Sequence, residues 1–217
     1  MTRGASLPPS DLSTWQSVLL GFSAPTGLVV DRAVERGQPS SGSRARLERR
    51  LLAPPPSLAA PAGGPEGAEE RAVLLEAGLA LLLARYSGEE SVIYGTREES
   101  GPVLPARADL RLEQSASAFL DQVRAARADR CRAPAVALEA LRKLAAIPSR
   151  LTLFEAVIDV RGAQALADPE LPWGRAPLVV GLCGGGSRLA ASYDEERLAG
   201  GGGQRLVGPL EGPPVGL

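Results

Sequence analysis

The hydrophobic positions along the chain fall into stretches of two periods. In "LLEAGLALLLARYSGEESVIYGT", residues 74–96, small and long apolar residues recur on nearly every side of a helix and then give way to a short β-branched and aromatic run. The pattern predicts a helix over 69–86, with Glu69 and Glu70 in its first turn and Arg85 in its last, where each sign of charge complements the helix dipole. A helix apolar all round is expected to lie buried between a sheet and another layer. "SVIYGT", 91–96, reads as the strand that follows.

The same reading places a short helix over 11–21, capped by Asp11 or Ser13, with Trp15, Val18 and Leu19 on one face and Gly21 ending it. Residues 22–42 form an extended loop that touches the body through Leu28 and Val29. "RARLERRLL", 44–52, alternates as a strand with an arginine-rich solvent face, and 53–70, with three consecutive prolines and "GGPEG", reads as a loop. "ADLRLE", 108–113, alternates as a half-exposed strand. Ser115 caps a helix reaching Arg130, with Phe119, Leu120 and Val123 opposite Asp121, Arg124 and Arg127, and a further helix covers 136–146. "LTLFEAVIDV", 151–160, has the continuity of a central strand, and "APLVVGL" and "SRLAASYD" form a hairpin around "CGGGS". A final helix begins after Asp194 but is broken by four glycines at 200–203. The predicted architecture is an α/β layer fold with a mixed β-sheet and flanking helices. The core spans 44–198, preceded by a helix and extended linker (1–43) and followed by a Gly/Pro-rich tail (199–217).

Composition narrows the chemistry. The 217 residues are 44% hydrophobic with a formal net charge of −1, enough chain for a buried core. The longest apolar run, 77–84, is far short of the roughly 20 residues that cross a bilayer, so a cytoplasmic protein without a membrane partner is expected. Lys143 is the only lysine, and the arginines are interspersed with carboxylates, which disfavours a nucleic-acid partner. Histidine is absent. Any catalysis would lack the usual general base near neutral pH and would fall to carboxylates, a hydroxyl or a thiol.

No catalytic constellation emerges from the residues. Cys131 and Cys183 are far apart, without a CxxC spacing, and are expected as buried or half-buried thiols. "CGGGS" lacks the Lys and Ser/Thr of a phosphate loop and precedes a strand, so it reads as a turn. The pairs Glu69/Glu70, Glu89/Glu90, Glu98/Glu99 and Glu195/Glu196 flank turns or helix starts and are expected to be solvated. Trp173, in "LPWGRAPL", either plugs the sheet edge or lines a groove. No cofactor and no metal site is called for.

Taken in order, these segments resemble the condensation domains of nonribosomal peptide synthetases. "DLSTWQSVLLG" is similar to the helix at the middle of such a domain, and "GLVVDRAVERGQPSSG" to the segment after it. "AVLLEAGLALLLARYSGEESVIYGT" resembles the family's "LLaA.alLLaRysGqeDvv.Gt". "GPVLPARADLRLEQSASAFLDQVRAA" is similar to "G.fvNtLplR.dl....sf.elL..vr.a", with Leu104, Pro105 and Arg107 as the counterparts of "LplR". "LTLFEAVIDV" and "PLVVGLCGGGSRLAASYDEERL" resemble the closing strands.

The resemblance covers nearly the whole chain, and only the second half of the family pattern. It implies one lobe of a chloramphenicol acetyltransferase-like fold, in which two related lobes enclose a tunnel where carrier-tethered donor and acceptor meet at an HHxxxDG motif on the first lobe. A chain without histidine is then expected to be a noncatalytic partial domain in bacterial antibiotic or other secondary-metabolite synthesis. Its implied partners are an adenylation domain of the same synthetase and a phosphopantetheine-bearing peptidyl carrier. The candidate interface or groove residues are Trp15, Leu104, Arg107 and Trp173. The segment between "SVIYGT" and "ADLRLE" is shorter than the family's and lacks the Asn of "NtLplR".

Overall fold

A six-stranded mixed sheet in the order β1-β6-β5-β4-β2-β3 organises the computed structural model, with helices against both faces. The structure describes residues 12–28, 43–50, 64–98, 101–134, 136–145, 147–160, 171–183 and 188–198. The elements are α1 (Ser13–Leu19), β1 (Arg44–Arg50), α2 (Gly64–Ser87), β2 (Ser91–Arg97), β3 (Val103–Asp109), α3 (Ala116–Arg132), α4 (Leu138–Leu144), β4 (Ala156–Asp159), β5 (Leu178–Cys183) and β6 (Arg188–Asp194). β2, β4 and β5 run parallel at the centre; β3 pairs antiparallel with β2, and β6 with both β5 and β1. The mixed α/β sheet is the predicted class.

Alternation along the strands divides the core in two. Val92, Tyr94, Ile158, Leu178, Val180 and Leu189 face α2 and α3, against Leu79, Leu83, Phe119 and Val123. Ile93, Val157 and Val179 face the other way, against Trp15, Leu19, Leu141 and Phe154 from α1, α4 and the segment before β4. The central parallel strands are buried on both faces, which accounts for their continuous apolar sequence. Gly95 permits the second layer to close: a Cβ there would lie 2.5 Å from Phe154 Cε2 and 2.9 Å from Val103 Cγ1.

Several boundaries differ from the sequence reading, each for a local reason. α2 begins at Gly64, inside the stretch read as loop, because a proline in the first turn loses no intrahelical bond. α2 is also open on one side among the described residues, with Leu81 52% exposed. The strand read over 108–113 lies instead at Val103–Asp109. Pro105 is accommodated because β3 is the outermost strand, and Gln114 N–H closes a turn onto Arg111 C=O (3.0 Å) that leaves Leu112 in solvent. β4 is only four residues long, since at 151–155 another segment occupies the space beside β2. α1 has Leu12 at its N-cap and no side-chain cap, while Asp11 lies outside the described residues. Gly21, at φ +87°, ends α1, and Ser115 Oγ caps α3 by accepting from Ala118 N–H (3.2 Å), both as predicted. Val29, the three-proline loop over 53–63, residues 184–187 of "CGGGS" and the glycines at 200–203 lie outside the described residues.

Candidate functional site

The densest polar constellation lies where α3 crosses α2 above the end of β2. Along α3, Phe119, Val123, Arg127 and Arg130 fall on one face at helical spacing, and all four are buried. Arg127 therefore continues the apolar stripe, contrary to the solvent-facing position read from the sequence. Opposite it stands Glu76, 1% exposed, which α2 inserts into an otherwise apolar surface. Arg130 Nη2 donates to both Glu76 oxygens (2.6 and 2.8 Å), Arg127 Nη1 donates to Oε1 (2.7 Å), and Tyr94 OH donates to Oε2 (3.3 Å). Arg127 also binds Glu98 (2.7 and 2.6 Å) and Glu69 (2.8 Å), and Arg124 beside it binds Glu70 (2.9 Å). Three of the carboxylates expected to be merely solvated are thus ion-pair partners.

The carboxylates act on the titration of Arg127 and Tyr94. Burial works against the charge on Arg127, but its bonds to Glu98 and Glu69 and the charge of Glu76 outweigh it and hold its pKa above the usual guanidinium range. Burial, reinforced by Glu76, raises the Tyr94 hydroxyl well above its ordinary value. Cys131, at the end of α3, is exposed rather than buried, and partial desolvation with the charge of Glu98 raises its thiol. A general acid or base must come within hydrogen-bond reach of its substrate. Glu76, enclosed by two guanidinium groups and a phenol, offers no such approach; the arrangement joins α2, α3 and β2 by charge.

The sequence-predicted residues lie toward the opposite face. Trp15 is wholly buried, its Nε1 donating to Pro134 C=O (3.3 Å). Arg107, on β3, donates to Leu20 C=O beyond the end of α1 (2.8 Å) and to Asp109 (2.7 Å), and its guanidinium lies 5.3 Å over the Phe22 ring. Leu104 is partly buried against the second core cluster. Trp173 meets Phe154 edge-on at 5.1 Å, and the Arg142 guanidinium lies 5.4 Å over its ring, but its Nε1 has no hydrogen-bond partner among the described residues. The structure thus brings Trp15 and Arg107 together around α1 and sets Trp173 against Phe154 and α4. Among the described residues no group of three or more potential metal ligands occurs, and Cys183 is buried.

Glu76 and Arg130 were not singled out from the sequence. Their signal was present as the lone charge between Arg71 and Arg85, and as an Arg-x-x-Arg-x-x-Arg run (124, 127, 130) continuing an apolar stripe.

Neither a family model nor a curated protein matches the sequence. Solved structures do. The starter condensation domain of rhizomide synthetase RzmA, as a doubly substituted variant in complex with C8-CoA and Leu-SNAC, is 20% identical, with a TM-score of 0.69 over 93% of this chain and 51% of that one. The X-domain in complex with OxyB from teicoplanin biosynthesis is 22% identical, with a TM-score of 0.66 over 93% of this chain and 50% of its own. This is a condensation-domain fold. The chain spans about half the length of the condensation domains it matches. No helix among the described residues is long and apolar enough to cross a membrane.

Proposed function

We propose that this chain is the C-terminal half of a condensation-type domain of a cytoplasmic nonribosomal peptide synthetase, that it forms no peptide bond itself, and that it serves as a structural platform for an adjoining adenylation domain in an initiation module. The observation that carries the reading is a condensation-domain fold on a chain of 217 residues with no histidine. The family's chemistry belongs to an HHxxxDG motif, which this chain has no residues to supply. The order of its segments follows the second half of the family pattern, which supports the C-terminal assignment. On this reading Leu104, Arg107 and Trp173 face the partner domain, and Trp15 anchors α1 through its bond to Pro134 C=O.

The test is to express the adenylation domain with and without this chain, fused and separate, and to measure soluble yield and amino-acid-dependent pyrophosphate exchange. A loss of either on deletion is expected; unchanged yield and exchange would refute the platform role. Two specific observations favour other readings. The X-domain's complex with OxyB supports a recruiting role, here for a peptidyl carrier, which saturable binding of a phosphopantetheinylated carrier would reveal. The absence of histidine from a chain of this fold supports a split enzyme completed by a histidine-bearing partner chain, for which co-purification and a peptide-bond assay with carrier-loaded substrates decide.

A further inference from the structure

We infer that Glu155 is a joint coupling two segments remote in sequence, residues 25–28 and the turn 195–198, so that loosening either one loosens the other. The β2–β4 register pairs Gly95 with Val157, and two residues earlier it would set Ile93 opposite Glu155. The strands have already parted there. Ile93 N–H donates instead to Thr26 Oγ1 (2.9 Å), and Leu28 N–H donates to Glu155 Oε2 (2.9 Å), so residues 26–28 fill the fork as a surrogate strand edge. The other carboxylate oxygen, Oε1, accepts from Arg197 Nη2 (3.1 Å). Glu155 is 2% exposed and Thr26 1%.

Withdrawing a donor from a carboxylate this deeply buried weakens the compensation of its charge. The two donors described for Glu155 come from different segments and share one acceptor, the situation in which perturbations cease to be additive. Residues 25–28 continue from α1, whose Trp15 and Leu19 belong to one core layer, and Leu28 reaches the other, packing against the cluster formed with α2 and α3 in which Leu198 is fully buried. The turn itself is held by Asp194, which accepts from Glu196 N–H through Oδ1 (2.8 Å) and from Leu198 N–H through its carbonyl (2.9 Å). The inference is independent of the proposed function.

Hydrogen exchange on the 217-residue chain, read by mass spectrometry at peptide level, tests it with Thr26→Val and Arg197→Met, each of which leaves Glu155 in place. Thr26→Val should speed exchange at Glu196 and Leu198 about tenfold, and Arg197→Met should do the same at Leu28 and Ile93, since coupling between sites is reciprocal. Amides in α3 serve as the unchanged reference. Acceleration confined to the mutated side overturns the joint, as does uniform acceleration that includes α3.

Discussion

Replacing Glu76 by Gln removes the charge that two buried guanidinium groups share. Arg127 keeps Glu69 and Glu98, but the side-chain bonds described for Arg130, itself 5% exposed, all go to Glu76. The variant therefore strands one buried cation. Removing one member of a buried pair costs about 3–5 kcal/mol, whereas an exposed pair contributes about 0–1 kcal/mol. Asp129→Asn is the matched control, because Arg132 and Asp129 are 75% and 67% exposed. For a chain of this size, each kcal/mol lowers Tm by about 2–4 °C, so Glu76→Gln should fall by about 6–20 °C and Asp129→Asn by a few degrees at most. Urea unfolding followed by far-ultraviolet circular dichroism and tryptophan fluorescence gives the free energy, provided that m is unchanged. A Glu76→Gln loss no larger than that of Asp129→Asn would refute the claim that Glu76 compensates buried charge. Glu76→Leu combined with Arg130→Met should recover part of the loss of either single variant, because an apolar pair of similar volume carries no stranded charge.

Tyr94→Phe should cost about 1 kcal/mol at neutral pH through the lost bond to Glu76. Its alkaline behaviour should improve: the folded-state pKa of Tyr94 is raised, so the unfolded chain ionises first above about pH 10 and parent stability is lost as pH rises from there, a loss the variant escapes in pH-dependent urea titrations. Gly95→Ala drives a methyl into Phe154 and Val103 and should destabilise by about 1–3 kcal/mol, seen as a lower urea midpoint. Ser115→Ala should cost about 1 kcal/mol and increase exchange at Ala118 N–H, whose acceptor is the Ser115 hydroxyl.

Patterning made much of the fold legible. α3 and its cap, β2, β5, β6 and the mixed α/β class followed from local periodicity and capping chemistry, which depend on near neighbours in sequence. The exceptions are instructive. "ADLRLE" alternates as well as any strand in the chain, yet pairing with β2 begins at Val103 and leaves Leu112 in solvent, because the register of a hairpin is set by its partner. "LTLFEAVIDV" has strand composition throughout, but its first half parts from β2 where Thr26 Oγ1 accepts the Ile93 N–H that a longer β4 would have paired.

The candidate site was less legible for the same reason. By itself the sequence determined that it contains no histidine, that the helices and strands alternate in α/β order, and that Trp15 and Trp173 stand out by type, with Leu104 and Arg107 marked by the resemblance of their segment. It did not distinguish an arginine on a solvated face from Arg127 and Arg130, because whether a charge at the margin of a stripe is buried depends on what another helix places opposite it. That was decided by α2, which sets Glu76 within hydrogen-bond reach of both. Local periodicity is a property of the residues in turn, whereas the pairing of buried charge exists only once two elements more than fifty positions apart have packed.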